Sequence, residues 1–115
     1  MTEKIIGAFY RVYNSLGFGL AEKVYENAMK IEFEEMGLRF ANQVPLKVVY
    51  MGREVGEYFA DFIVEDIIVE LKTIRELCGA EGQQVLNYLK TGGFEFGLIL
   101  NFGKKVQVRR KIYSR

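Results

Sequence analysis

Three ionisable side chains sit where two apolar strands should pack. Residues 60–72 read Ala-Asp-Phe-Ile-Val-Glu-Asp-Ile-Ile-Val-Glu-Leu-Lys, with Asp61 inside the first apolar run and Glu70 and Lys72 inside the second. If Glu65-Asp66 forms a two-residue loop, Val64 pairs with Ile67 and Asp61 falls opposite Glu70, with Lys72 two residues farther along the same face. Directly opposed side chains have Cβ atoms about 4.5–5.5 Å apart. Two ionised carboxylates at ~5 Å repel by ~3 kcal/mol at an effective dielectric of ~20. That exceeds the roughly 0.2–1 kcal/mol that a favourable cross-strand pair contributes. The register therefore needs a neutral or positive intermediary, and a divalent cation supplies one. Mg²⁺ is a hard ion held by one or two carboxylates plus waters; it lowers the pKa of water and polarises a phosphoryl oxygen. Lys72 would then orient the attacking water or stabilise charge developing on the phosphate. Two plainer readings use the same residues. Lys72 can pair with one acid while the other meets solvent, or the register can slip, because Glu-Asp lacks the Asn-Gly signature of a tight hairpin.

The elements that would position these groups follow from periodicity. Ile5, Ile6, Phe9, Val12, Tyr13 and Leu16 have helical spacing, and Gly17-Phe18-Gly19 ends that helix. A second amphipathic helix is expected from Leu20 to Met36, with Leu20, Val24, Ala28 and Ile31 along its stripe and Gly37 as its stop. Val44, Leu46, Val48 and Tyr50 alternate as a strand, and Met51-Gly52-Arg53-Glu54 reads as a hairpin turn. Strands over 55–64 and 67–73 follow, then a helix from about residue 79 to Gly92-Gly93. A buried strand over 95–102, a Gly103-Lys104-Lys105 turn and a basic strand over 106–113 complete the chain. The order α-α-β-β-β-α-β-β predicts an α/β (α+β) fold, a mixed sheet flanked by helices. The step from the third strand through the helix to the fourth is a right-handed parallel crossover.

Composition narrows the chemistry. The chain has 115 residues, enough for one domain over 1–115 with a single core. Half of the residues are hydrophobic and 27% are charged, an ordinary globular balance. No apolar run approaches the roughly 20 residues that span a bilayer, and the N-terminal stretch lacks a signal-peptide layout. Histidine is absent, which excludes Cys/His zinc sites and Ser-His triads. The single cysteine, Cys78, excludes an intramolecular disulfide and leans toward a cytoplasmic location. With no histidine to activate it, Cys78 is expected at the start of the third helix and outside the site. Net charge is only +1, yet Lys104, Lys105, Arg109, Arg110, Lys111 and Arg115 crowd residues 101–115 with no acid among them. Such a tail is either a phosphate-facing surface or an edge strand kept from aggregating by its charges.

Asp61 followed across a hairpin by Glu70-Leu71-Lys72 resembles the PD-(D/E)XK nuclease superfamily, with Ala60 in the place of its often-variable proline. Gly19-Leu20-Ala21-Glu22-Lys23-Val24-Tyr25 resembles the signature of the small GxxExxY proteins, a branch of that superfamily. Ile5-Ile6-Gly7-Ala8, Gln84-Val85-Leu86-Asn87-Tyr88-Leu89-Lys90 and Gly97-Leu98-Ile99-Leu100-Asn101-Phe102-Gly103 resemble the same family, in the correct order over nearly the whole chain. The resemblance implies a restriction-endonuclease-like core. It makes Asp61 and Glu70 ligands of Mg²⁺ or Mn²⁺ with the Leu71 carbonyl, Lys72 the catalytic lysine, and Glu22 an extra acid near the metal. It pairs Gln84 with Tyr88, one helical turn apart, to steady a phosphate or the lysine. Tyr25 reads as packing rather than chemistry, and Glu26 as an i,i+4 partner of Lys30. Two histidines common in the family are replaced by Tyr13 and Glu81, and Glu81 would add negative charge beside the site.

Two functions remain in view. One is a metal-dependent phosphodiesterase acting on DNA, with RNA second, whose substrate meets Lys104, Lys105, Arg109 and Lys111. The other is a nucleic-acid or protein interaction module on the same fold. A domain this small offers little surface for sequence readout, so a nuclease of this size would act on structure or ends, or as a homodimer. No third, small-molecule reading finds support, because neither Gly17-Phe18-Gly19 nor Gly92-Gly93 has the strand-to-helix context of a nucleotide loop.

Overall fold

The computed structural model describes residues 1–114; Arg115, counted above in the basic tail, lies outside the described residues. Eight elements follow the expected order: α1 (Thr2–Leu16), α2 (Glu22–Glu35), β1 (Phe40–Tyr50), β2 (Arg53–Val64), β3 (Ile67–Lys72), α3 (Gly79–Gly92), β4 (Phe96–Asn101) and β5 (Gln107–Ile112). The five strands form one sheet in the order β1-β2-β3-β4-β5. β3 and β4 run parallel across the α3 crossover, and the other pairs are antiparallel. The fold is thus the expected mixed α+β sheet. Among the described residues no helix is long and apolar enough to cross a membrane.

The sheet is covered on both faces, which explains why β3 and β4 read as continuous apolar runs rather than as alternating strands. Phe62, Val64, Val69, Leu71, Leu98 and Leu100 pack beneath α1 and α2 with Phe9, Met29 and Phe33. Ala60, Ile68 and Ile99 pack on the other face with Val85 and Leu89 of α3. The stripe that α2 buries lies one position along from the expected one. Leu20 precedes the helix and, with Val24 and Ile31, is exposed, whereas Tyr25, Met29 and Phe33 are fully buried. The two stripes are neighbours on the helix, and the one carrying two aromatic rings removes more apolar area from water.

Local signals set the boundaries. Gly37, at φ 66°, ends α2 as a left-handed cap, with Leu38 N–H donating to the Phe33 carbonyl at 3.0 Å. Met51 and Gly52 have φ 50° and 75°, a two-residue turn that joins Tyr50 to Arg53. β1 begins four residues earlier than its clean alternation suggests, and its position at the sheet edge accommodates Pro45. Cys78 is the N-cap of α3, and Glu81 accepts its backbone N–H at 2.6 Å. β5 is the opposite edge strand, so Arg109, Arg110 and Lys111 lie along an open edge.

Candidate active site

The β2–β3 hairpin has the expected register. Val64 pairs with Ile67, Ile63 with Ile68 and Phe62 with Val69, around a turn in which Glu65 adopts φ 57°. One step farther the ladder stops, and Asp61 and Glu70 meet through side chains instead. The Leu71 N–H donates to Asp61 Oδ2 at 2.8 Å, and the Asp61 N–H donates to Glu70 Oε1 at 3.3 Å. β2 therefore leaves β3 at Asp61, while Glu70, Leu71 and Lys72 remain paired with Ile99, Leu100 and Asn101 of β4.

This opening exposes a backbone acceptor. In a strand, one residue's N–H and C=O point to the same neighbour, and adjacent residues alternate. The Lys72 carbonyl accepts Phe102 N–H on the β4 side at 2.8 Å. The backbone of Leu71 consequently faces β2, where its N–H has found Asp61 and its carbonyl looks into the gap. Two carboxylates and a carbonyl thus share the mouth of the hairpin, with Lys72 one residue beyond.

The electrostatics of this mouth favour a cation. Glu70 is 7% exposed, and burial, reinforced by the charge of Asp61, pushes its carboxyl up to about 8. Glu22, at the first turn of α2, is also raised, by partial burial first and then by Asp61, with Lys72 opposing. Asp61 therefore acts on both Glu70 and Glu22, and Lys72 opposes the rise of both. Among the described residues no three metal-binding side chains converge into a closed cluster. The hard oxygen donors nevertheless fit a divalent ion that keeps several waters and takes one or two carboxylates, as Mg²⁺ does. Asp61, Glu70 and the Leu71 carbonyl are the groups that would hold it.

Glu22 owes its place to a built turn. Gly17 and Gly19 have φ 72° and 101°, and the Tyr25 hydroxyl donates to the Gly17 carbonyl at 2.6 Å while accepting the Leu20 N–H at 3.2 Å. The Tyr25 ring stacks on Phe102 with centroids 4.3 Å apart. Tyr25 is thus packing, as its sequence context suggested, and the hydroxyl ties down the loop that leads into Glu22. The loop after Lys72 is fixed in the same manner. Buried Asn101 accepts the Ile74 N–H at 3.1 Å and donates to the Ile74 carbonyl at 2.9 Å. A Cβ on Gly103 would lie 1.9 Å from that carbonyl, so only glycine fits there.

Gln84 and Tyr88 both line a cleft of about 710 Å³ between α3 and the β1–β2 ribbon, with Lys47 and Tyr58. The Tyr88 ring stacks on Tyr58 with centroids 3.4 Å apart. Burial, then the charges of Glu70 and Asp61, raise the Tyr88 hydroxyl, which places this wall of the cleft within the field of the carboxylates. Nothing in the sequence around Tyr58 signals its place in this cleft. Its hydroxyl is buried without a hydrogen-bond partner and is raised strongly, first by burial.

Lys105 and, more weakly, Arg109 both lower the Glu76 carboxyl, so these two cations share one acid. Lys105 pairs with Glu76 at 2.7 Å, Lys104 lines a shallow cleft with Leu20 and Thr73, and Arg109 and Lys111 line another with Cys78 and Gly82. Glu81 faces Lys72 electrostatically, but both its oxygens are engaged by Cys78, which holds its carboxyl below the usual range. Glu26 does not make the expected i,i+4 pair with Lys30. It is buried, bonds to Lys23 rather than Lys30, and reaches Asn42 and Gln43 beside Asp61. Neither amide carried a signal in the sequence, because their roles depend on which strand lies opposite.

A family model described as the PD-(D/E)XK nuclease superfamily matches residues 1–111. The crystal structure of SSO0001 resembles this fold with a TM-score of 0.61 at 15% identity, over 81% of this chain and 50% of that chain. This chain thus spans about half the length of that solved protein, and the likeness is one of fold. No curated protein matches the chain.

Proposed function

Because the chain belongs to the PD-(D/E)XK nuclease superfamily, we propose that it is a divalent-metal-dependent nuclease that hydrolyses phosphodiester bonds of DNA, with RNA as the second candidate. The observation that carries the reading is the opened hairpin, where Asp61, Glu70 and the Leu71 carbonyl face one gap beside Lys72. Asp61, Glu70 and the Leu71 carbonyl hold Mg²⁺ or Mn²⁺, and Glu22 adds negative charge from α2. The bound ion supplies Lewis acidity at the phosphoryl oxygen and a lowered pKa for water. Lys72 orients the attacking water or donates to the oxygen on which charge develops. Gln84 and Tyr88 steady the phosphate from the cleft wall, and Lys104, Lys105, Arg109 and Lys111 meet the nucleic-acid backbone.

The Gly19, Glu22 and Tyr25 spacing supports placement in the GxxExxY branch, where the turn held by the Tyr25 hydroxyl gives that spacing a physical reason. An exposed free thiol at Cys78 suits a reducing, cytoplasmic setting. A homodimer would enlarge the small nucleic-acid-facing surface. The interaction-module reading is favoured by one observation, the pairing of Lys105 with Glu76, which partly neutralises the basic tail.

The experiment is a calorimetric titration of Mn²⁺ into the wild type, Asp61→Asn and Glu70→Gln, followed by a metal-dependent DNA cleavage assay with Lys72→Ala. Saturable binding lost in both carboxylate variants, with turnover lost in Lys72→Ala, supports the nuclease. Binding that neither substitution changes, or turnover that survives without Lys72, turns the assignment to the interaction module.

A further inference from the structure

Two consecutive amides of β1 reach from one buried carboxylate to Asp61. Glu26, on the inner side of α2, is 5% exposed, and its Oε1 accepts Lys23 Nζ at 2.8 Å. Its Oε2 accepts Asn42 Nδ2 at 3.0 Å and also accepts Gln43 Nε2. Both amides continue to Asp61. Asn42 Nδ2 donates to the Asp61 main-chain carbonyl at 2.8 Å, and Gln43 Nε2 donates to Asp61 Oδ1 at 3.2 Å. A side-chain amide nitrogen carries two hydrogens, and each bridge uses both. Asp61 is thereby gripped by main chain and side chain at the residue where β2 leaves β3.

A regular strand could not do this, because successive side chains point to opposite faces. The β1–β2 ladder pairs Asn42 with Phe62 and Val44 with Ala60 and passes over Gln43 and Asp61. Gln43 adopts φ 54°, in the left-handed region that non-glycine residues rarely enter. That departure brings both amides to the side of Glu26. A strained residue inside a strand, with no tight turn of its own, persists only where its surroundings hold it.

We propose that Glu26, Asn42 and Gln43 form a positioning clamp that fixes the Asp61 carboxylate at the mouth of the hairpin before any ion arrives. Gln43 occupies Oδ1 and the Leu71 N–H occupies Oδ2, so the carboxylate cannot rotate and only its remaining lone pairs serve an ion. None of the three is a ligand; they act through Asp61, as outer partners orient ligands at metal sites. The consequence for the ion rests on the nuclease reading, whereas the clamp itself does not.

Gln43→Gly tests the clamp without penalising the fold, because glycine relieves the left-handed backbone while deleting the amide. Glu26→Gln removes the charge from the hub, and Gln43→Asn keeps an amide one methylene shorter. Two readouts are taken beside thermal unfolding: hydrogen exchange of the Leu71 amide in the metal-free protein, referenced to Leu98 and Leu100, and calorimetric titration of Mn²⁺. In Gln43→Gly the melting temperature is expected to hold, Leu71 exchange to accelerate about tenfold or more, and Mn²⁺ affinity to fall about 10–100-fold. Glu26→Gln shifts both readouts in the same direction, and Gln43→Asn recovers part of both. A Leu71 amide as slow in Gln43→Gly as in the wild type overturns the clamp, whatever the ion does. Accelerated exchange with unchanged Mn²⁺ affinity overturns its role in binding. If exchange accelerates but the wild type itself takes no Mn²⁺, the nuclease reading falls and the clamp stands.

Discussion

The carboxylate of Asp61 accepts the backbone N–H of Leu71 at 2.8 Å, in the place where a strand partner's carbonyl would sit. This contact lets the hairpin open without stranding a buried donor, which would otherwise cost about 1–3 kcal/mol. It also separates two functions of the sheet. Toward the turn, β2 and β3 are paired strands that bury Phe62, Val64, Ile67 and Val69. Past Asp61 they form the two lips of a site, and the polar groups that regular pairing would consume remain for chemistry.

Asp61→Asn should preserve that opening, because the amide oxygen still accepts the Leu71 N–H, although its amide nitrogen no longer accepts from Gln43 Nε2. It removes the charge that helps to raise Glu70 and Glu22, so both carboxyls should titrate lower than in the wild type. Mn²⁺ affinity should fall by more than about 100-fold, beyond what loss of an outer partner costs. Calorimetry gives the affinity and carboxyl-detected NMR titration gives the two carboxyls. A wild-type affinity in this variant would remove Asp61 from the ion's ligands.

Much of this arrangement is legible in the sequence, and the misses have identifiable causes. The hairpin register follows from Val64 and Ile67 flanking a short polar pair, and the crossover follows from two apolar strands separated by a helix. The phase of α2 does not, because Val24-Ala28-Ile31 and Tyr25-Met29-Phe33 are equally periodic and only the sheet beneath decides between them. Phe40 to Gln43 lack clean alternation of polarity, since the half-buried position 42 holds an Asn that serves Glu26 and Asp61 while exposed position 41 is Ala, and so the start of β1 is hidden. Glu26 and Tyr58 acquire their roles only through partners distant in the chain, Gln43 for one and Tyr88 for the other. A charge inside an apolar run announces itself, whereas a charge on a polar helix does not.

The pH dependence should reveal Glu70. Its ordinary value is 4.5 and the folded protein raises it to about 8, so between these pH values the folded chain binds a proton that the unfolded chain has released. Stability must therefore fall as pH rises through that window, and the loss is complete above pH 8. Glu70→Gln should remove this dependence and be the more stable protein at pH 9, with the difference vanishing near pH 4. Denaturant unfolding at pH 4, 7 and 9 measures it. Metal binding is linked with the same sign: Mn²⁺ affinity should rise with pH up to about 8, by at most about tenfold per unit, and then level off. A flat profile would mean that Glu70 is already ionised at neutral pH.

Tyr25→Phe should act on the turn and spare the core. The ring keeps its stacking on Phe102, but the Gly17 carbonyl and Leu20 N–H lose their partner. The cost should be about 1–3 kcal/mol, read as a fall in melting temperature of roughly 4 °C per kcal/mol for a domain of this size. Glu22 follows that turn directly, so cleavage activity measured well below the melting point should also drop. Tyr25→Ala should cost more, about 3–5 kcal/mol, by opening a cavity against Phe102. A Phe variant with unchanged stability would show that the hydroxyl bonds contribute nothing.

Lys72 should separate binding from turnover. Its charge opposes the rise of both Glu22 and Glu70, so removing it should push these carboxyls higher still and weaken Mn²⁺ binding near neutrality. Removing it also deletes a cation that repels the ion. At pH 9, above the value of about 8 that Glu70 has in the wild type, the first effect shrinks relative to the second, and Lys72→Ala should lose less Mn²⁺ affinity than it does at pH 7. Its kcat should nonetheless fall by about 100–1,000-fold, the usual cost of deleting a group aimed at developing charge. Lys72→Arg keeps the charge but replaces a compact ammonium with a broad fork, so it should recover the neutral-pH affinity without recovering kcat. Calorimetry and single-turnover DNA cleavage at pH 7 and 9 give all four numbers. If kcat falls only as far as affinity at pH 9, Lys72 belongs to the ion's surroundings; if kcat falls much further, it belongs to the chemistry.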